Sequence, residues 1–342
     1  MPSEIVVNGR FMARPITGVE RYARDVTRAL GGRVRLISPP GIFTRGAGHF
    51  WEQVLLPWAL PLDARLWSPA NSGPLAVANQ VVTIHDLAPV ERPDGYSRGF
   101  ATWYGILLPR LARRATRVIT VSDFSRQRLI ELFCLPSEKI AVIPPGIDRD
   151  RFRPASASQI EQFRNRFALH KPFLLYLGSL QPRKNLDRLL QAWSRINTRY
   201  PGFELVLAGG GASHFLEPDL SRLPSGVRRL GRLCDDDLPA LYTSALGVVI
   251  PSLYEGFCLV GLEALACGTA PAAAEIPAFR EALGETALYF DPLSVEGMAA
   301  ALDVFMSDES LRMRIVEQGG EQVGNFRLDR AVEQIWGVLN EP

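Results

Sequence analysis

The chain has 342 residues, 47% of them hydrophobic and 22% charged, with a formal net charge of +2. That length predicts two domains rather than one core, and the composition excludes a disordered chain. The charge gives no whole-molecule reason to bind nucleic acid. Four cysteines, Cys134, Cys234, Cys258 and Cys267, form no Cys-x-x-Cys pair. Neither a disulfide framework nor a zinc site is therefore expected, and a reducing, cytoplasmic setting is. Met1-Pro2-Ser3-Glu4 carries no signal-peptide pattern, and no run approaches twenty uncharged apolar residues. The expectation is a soluble chain, free to rest at the inner face of a membrane.

Short apolar runs rich in β-branched residues alternate with segments of helical period. Ile5-Val6-Val7 comes first, followed by Asn8-Gly9-Arg10 and then Thr17-Gly18-Val19-Glu20, which leads into a helix. Gly18 has no side chain to obstruct a ligand at that helix start. Runs at 34–37 and 81–84 follow, and His85 stands just past the second, with Asp86 beside it. A lone histidine there is more often structural than catalytic.

Residues 97–117 have helical spacing, with Phe100, Trp103, Tyr104, Ile106, Leu107 and Leu108 among Arg98, Arg110, Arg113, Arg114 and Arg117. The stretch reads either as a core helix with a solvated basic face or as a patch for anionic lipid or a lipid-diphosphate acceptor. Runs at 118–121 and 140–143 complete the first half. Pro144-Pro145-Gly146 and the polar stretch from Arg153 to Ser158 then interrupt the pattern, and a helix is predicted over 158–169.

Further runs stand at 173–177, 205–208, 248–250 and 288–290. Strand–helix alternation over the whole length predicts doubly wound parallel α/β sheets. The domains expected are 1–165, 166–325 and a terminal helix within 326–342 that can pack back on the first domain. That helix carries Ala331, Val332, Ile335, Trp336 and Leu339 as a packing stripe.

The chemistry is concentrated in the second half. Gly178 ends a strand, and Arg183 and Lys184 stand where the next helix opens near Asn185. Cations oppose the dipole at that end of a helix, so their presence implies an anion to meet. After the run at 248–250, Glu255 lies in a loop at a strand's carboxyl end, where open α/β sheets bind ligands. Its carboxylate suits the diol of a sugar. A helix over 258–266, closed by Gly268, carries Glu263, which could reach a second diol such as a ribose. Spacing alone equally allows Glu255 to be a cap and Glu263 to pair with a surface cation. No Asp-x-Asp or histidine cluster lies at a strand end, so no metal is expected. No Gly-x-Gly-x-x-Gly follows the first strand, which argues against a nicotinamide dehydrogenase.

The two glutamates with seven residues between them, followed by Ala266-Cys267-Gly268, resemble the E-x7-E signature of the retaining glycosyltransferases of family 4 (glycosyl transferases group 1). The segments 175–186, Leu207-Ala208-Gly209-Gly210-Gly211 and Arg229-Leu230-Gly231-Arg232-Leu233 occur in that family's order, so the resemblance covers nearly the whole chain. It implies the GT-B fold, two Rossmann-like domains facing a cleft, with acceptor on the first and nucleotide sugar on the second.

The resemblance also implies roles. Lys184 holds the donor diphosphate with Arg183 beside it, while the Gly18 loop faces the phosphates. His85 and Glu255 meet the sugar, with Gly256, Phe257, Cys258 and Leu259 around it, and Glu263 meets the ribose. The donor, a GDP- or UDP-linked sugar, is a substrate, so no cofactor is implied. The small relatives it resembles are mannosyl- or rhamnosyltransferases of bacterial polysaccharide assembly, which makes GDP-mannose the leading donor and a saccharide or lipid-linked saccharide the acceptor. A non-catalytic sugar-binding partner subunit and a nucleotide-sugar epimerase of the same fold are the alternatives. The chain departs from many relatives at Ser179, where they carry Arg, and at Cys258 and Val260, where they carry Gly and Pro. Cys258 is therefore expected to narrow the sugar pocket.

Overall fold

The computed structural model describes residues 4–43, 47–210 and 222–341; Met1-Pro2-Ser3 and Gly211 lie outside the described residues. The chain forms two compact units. One comprises Met1–Glu91, Arg98–Gly146 and Leu328–Pro342, and the other Arg92–Ser97 and Ile147–Arg327.

The first unit holds β1 (Ile5–Asn8), β2 (Arg35–Ile37), β3 (Arg65–Ser68), β4 (Gln80–Ile84), β5 (Arg117–Thr120) and β6 (Ile140–Val142). All pair in parallel, in the order β2-β1-β3-β4-β5-β6. The chain steps from β1 outward to β2 and returns on the other side at β3. The strand order therefore reverses between β1 and β3, which opens a crevice at their carboxyl ends.

The second unit holds β7 (Phe173–Leu177), β8 (Glu204–Ala208), β9 (Val227–Gly231), β10 (Gly247–Ile250), β11 (Pro271–Ala274) and β12 (Leu288–Phe290). Their order is β12-β11-β10-β7-β8-β9, again parallel. Here the reversal falls between β7 and β10. At the end of β8, Gly209 has φ +121°, and a Cβ there would lie 1.9 Å from the Gly178 carbonyl oxygen. Only glycine allows the ends of β7 and β8 to approach so closely.

The parting of the units differs from the expected boundary. The first ends at Gly146 rather than 165, because helix Ala157–Arg166 buries Phe163 in the second unit's core with Leu169 and Phe173. The terminal helix Leu328–Leu339 belongs to the first unit. Its Ala331, Val332, Ile335, Val338 and Leu339 join Tyr22, Val26 and Leu30 of helix Gly18–Leu30 in the first unit's core. Burial at a 3.6-residue period on both helices fixes that packing.

The 97–117 stretch is helical over Arg98–Arg114, and Tyr104, Leu107, Leu108, Leu111 and Ala112 are buried. Phe100 and Trp103 pack against the same core. Its aromatic side is thus core, while Arg98, Arg110, Arg113 and Arg114 are exposed.

A buried polar network fills the reversal between β1 and β3. Asn8 Nδ2 and Arg10 Nε donate to Glu52 Oε1 at 2.7 and 3.1 Å. Arg10 Nη2 also donates to the Ser72 hydroxyl at 2.6 Å, and His49 Nδ1 lies 3.4 Å from Glu52 Oε2. Burial works to raise the pKa of the inaccessible Glu52, but Arg10, His49 and Asn8 outweigh it and hold the carboxyl at about 2. A depressed carboxyl stabilises the fold above its ordinary value, and that stability is lost as pH falls toward 2. Glu52→Ala is expected to cost about 3–5 kcal/mol by chemical denaturation at neutral pH, since it leaves Arg10 buried and unpaired. The loss should shrink when the measurement is repeated at acid pH. An unchanged midpoint would refute a structural role for the network.

Candidate active site

The predicted residues of the second unit converge where its strand order reverses. After β7 the chain turns through the short 3-10 segment Pro182–Lys184, and Asn185, at φ +60°, starts helix Leu186–Ile196. After β10, a loop carries Glu255 to helix Leu259–Ala266. The helix ends at Gly268, whose φ of +76° suits the glycine read there as a stop. Asn185 Nδ2 ties the two strand ends together, donating to the Pro251 carbonyl at 3.0 Å and to the Pro292 carbonyl at 2.7 Å.

Glu255 is held between the two cations. Arg183 Nη1 lies 2.5 Å from its Oε2, and Lys184 Nζ lies 2.6 Å from its Oε1. All three side chains are at most 16% exposed. Burial alone would raise the pKa of Glu255, but Arg183 and Lys184 outweigh it and hold the carboxyl at about 2. It is ionised at every working pH, and the trio carries one net positive charge. Arg183 is braced further: Nε donates to Gln181 Oε1 at 3.0 Å, and Nη1 to the Tyr254 carbonyl at 2.9 Å. Gln181 in turn donates to Ser179 Oγ at 2.5 Å. The Lys184 stem runs past Gly178, where a Cβ would meet its Cδ and Cε at 3.7 Å.

Glu263 is 2% exposed and accepts a hydrogen bond from the Tyr242 hydroxyl at 2.7 Å. It is therefore not a surface residue paired with a solvated cation. Gly256 and Cys258 are buried, while Phe257 and Leu259 are half-buried. Cys258 is 2% exposed within the core, and burial pushes its thiol up to about 12, so it stays protonated. Its sulfur would lie 3.0 Å from a Cβ built on Gly261, so Cys258 fills space against the helix.

In the first unit, His85 follows β4 and is 8% exposed. Its backbone N–H donates to Asn71 Oδ1 at 2.6 Å, its carbonyl accepts from Ser125 Oγ at 3.3 Å, and Tyr22 meets its ring edge-on at 4.6 Å. Burial lowers its pKa, so the ring is neutral at pH 7. Nε2 lies 2.9 Å from the Pro69 carbonyl. A carbonyl only accepts, so Nε2 carries the proton and Nδ1 is the ring's acceptor. Asp86 caps the next turn through the Ala88 N–H at 3.0 Å.

Gly18 is exposed at the start of its helix. Two residues on, Glu20 is 1% exposed; its Oε2 accepts from the Thr17 N–H at 3.2 Å, and its Oε1 pairs with Arg14 at 3.1 Å. A protein carboxylate thus already stands at this helix N-terminus. The sequence reading missed Tyr242, Gln181 and Asn71 as supports of the site. Only Asn71 could have been found, as an asparagine able to take a positive φ; it has φ +56°.

Among the described residues, no group of three or more His, Cys, Asp and Glu is arranged to hold a metal ion. None of the described helices is long and apolar enough to cross a membrane.

Comparison with known proteins agrees with this architecture. Residues 158–322 match the model of glycosyl transferases group 1, and residues 16–151 match that of Glycosyltransferase Family 4. The chain is 30% identical over 270 residues to O-antigen chain mannosyltransferase B of Escherichia coli, covering 76% of this chain and 70% of that one. It is 31% identical over 259 residues to the serotype-specific mannosyltransferase WbdA of Escherichia coli, covering 72% of this chain but 31% of that longer one. Among solved structures, Anabaena HepE in complex with UDP and glucose superposes with a TM-score of 0.78 at 18% identity over the whole of both chains. WaaG, a glycosyltransferase involved in lipopolysaccharide biosynthesis, gives 0.74 at 16%, covering 99% of this chain and 100% of that one. At such identities these structures speak for the fold alone, two parallel six-stranded sheets of the GT-B type.

Proposed function

The chain belongs to the glycosyl transferases group 1 of family 4, and from that premise we propose that it transfers a hexose, mannose from GDP-mannose, with retention and without a metal. The acceptor is a saccharide or lipid-linked saccharide in cell-surface polysaccharide synthesis. The observation that carries the reading is the Glu255 carboxylate set between Arg183 and Lys184, where the strand order reverses. Two cations, whose charge exceeds that of Glu255 by one, suit a diphosphate, and the ionised carboxylate beside them suits sugar hydroxyls. The names of the Escherichia coli relatives support mannose as the sugar.

In this reading the diphosphate lies against Lys184 and Arg183. Glu263, oriented by Tyr242, accepts from the ribose diol, and Glu255 and the neutral His85 accept from sugar hydroxyls. As the bond from the anomeric carbon to phosphate oxygen breaks, negative charge grows on the departing diphosphate, and Lys184 and Arg183 stabilise it. The acceptor oxygen forms the new bond on the same face, and its proton passes to the departing phosphate oxygen. No carboxylate is required as a covalent nucleophile.

Calorimetric titration with GDP, UDP, ADP and TDP tests the donor. GDP is expected to bind in the micromolar range and to lose that binding in Lys184→Ala, and transfer activity should survive EDTA. Tighter binding of UDP than GDP would refute mannose from GDP-mannose, and loss of activity in EDTA would refute metal independence.

A further inference from the structure

Exposed large hydrophobic side chains are concentrated on one helical segment of the first unit. Gly48–Phe50, Trp51–Leu55 and Leu56–Ala59 form successive helical turns. From this segment and the residues after it, Phe50 is 56% exposed, Trp58 89% and Leu62 108%, with Val54 and Leu55 at 41% and 37%. The opposite side holds the segment in place. Trp51 and Leu56 are buried in the core, and Glu52 lies in the network with Arg10. Both ionisable groups of the segment, His49 and Glu52, are engaged in that network. The outward face is therefore apolar and uncharged up to Asp63.

The neighbouring helix supplies charge of one sign. His49 packs edge-on against Trp103 and Tyr104 of helix Arg98–Arg114, at 5.6 and 5.8 Å between ring centroids. That helix exposes Arg98, Arg110, Arg113 and Arg114, together with Ile106 at 44%. Between Asp94 and Asp123 the sequence has five arginines and no acidic residue. An apolar ridge bearing a tryptophan beside an acid-free basic helix complements an interface that is anionic outside and hydrocarbon within. A second copy of the chain fits less well, since a symmetric pairing of this face would bring like-charged arginines together.

We propose that this face, with Trp58 and Leu62 inserted and Arg110 and Arg114 above the headgroups, docks the protein on an anionic lipid bilayer. The inference stands on the first unit alone and does not depend on the donor. It transfers the basic helix's expected role to a neighbouring segment, because the aromatic residues of the basic helix itself are spent on the core.

The test is flotation of the full chain with vesicles of phosphatidylcholine, with and without phosphatidylglycerol. Binding is expected only with the anionic lipid and should weaken on adding salt. The double variant Trp58→Ser/Leu62→Ser should bind at least about tenfold more weakly, and Arg110→Ser/Arg114→Ser about tenfold more weakly. Both alter exposed side chains, so thermal unfolding followed by circular dichroism should match the parent. Failure of the parent chain to float with anionic vesicles would overturn the proposal. So would undiminished binding by Trp58→Ser/Leu62→Ser. A dimer seen by light scattering and abolished by that same variant would also overturn it, by assigning the face to a second copy.

Discussion

Lys184→Ala is expected to lower kcat/KM by about 10²–10³-fold, the range for removing one charge-stabilising donor from a transition state. Among the described residues the lysine pairs with Glu255, and its stem is guided there by the bare backbone of Gly178. When the diphosphate arrives, Lys184 is the more mobile of the two cations, because Arg183 is already tied to Gln181 and to the Tyr254 carbonyl. Steady-state kinetics should therefore show a fall in kcat as well as weaker donor binding.

The acid limb of the pH profile should move too. With both cations present, Glu255 is held at about 2. With Arg183 alone opposing the effect of burial, the carboxyl must titrate at a higher pH. Residual activity should then be lost earlier as pH falls, while the parent enzyme is indifferent to this group across the mildly acidic range. Turnover near the parent's, with an unchanged profile, would remove Lys184 from the mechanism.

Much of this frame was legible in the sequence because buried parallel strands leave an apolar, β-branched signature. Gln80–Ile84 is of this kind, Phe173–Leu177 is apolar but has no β-branched residue, and each is covered on both faces. Three strands escaped for separate reasons. Arg65–Ser68 (β3) begins with a charge, tolerated because Arg65 bonds to the Asn79 side chain and to the Leu339 carbonyl at the end of the terminal helix. Val227–Gly231 (β9) is an edge strand with two arginines and only partial burial. Pro271–Ala274 (β11) is almost all alanine, a helix former by propensity, and becomes a strand through pairing with β10 and β12.

The residues of the candidate site were legible one by one, but their mutual arrangement was not. Arg183 and Lys184 stand 72 and 71 positions from Glu255, so no spacing rule could place their charges on its two oxygens. Nor could periodicity reveal that Tyr242, on a separate helix, holds Glu263. What the sequence offered was an anion implied by cations at a helix start. In the structure, the anion those cations meet is the protein's own Glu255.

This self-pairing leads to the other large expected effect. Glu255→Gln should reduce transfer by about 10²–10³-fold, since a neutral amide cannot stabilise the sugar as the ionised carboxylate does, and yet GDP should bind about tenfold tighter. In the parent, Lys184 and Arg183 must give up part of their interaction with Glu255 to meet a diphosphate. Removing that competing charge takes the local balance from one net positive charge to two. A charge-assisted hydrogen bond contributes about 1.5–3 kcal/mol, and 1.4 kcal/mol corresponds to a tenfold change in affinity. The same substitution should destabilise the second unit, because it leaves two largely buried cations with only an amide oxygen between them. The cost should approach about 3 kcal/mol, the lower end of the range for breaking a buried pair, since both cations retain some contact with water. Calorimetry with GDP, run beside denaturant unfolding and a transfer assay, separates the three effects. If GDP affinity falls together with turnover, Glu255 assists the diphosphate site, and its contact with Lys184 persists when donor is bound. If affinity rises while turnover collapses, the carboxylate holds the place of the diphosphate in the free protein and acts on the sugar once the donor has displaced it from the cations.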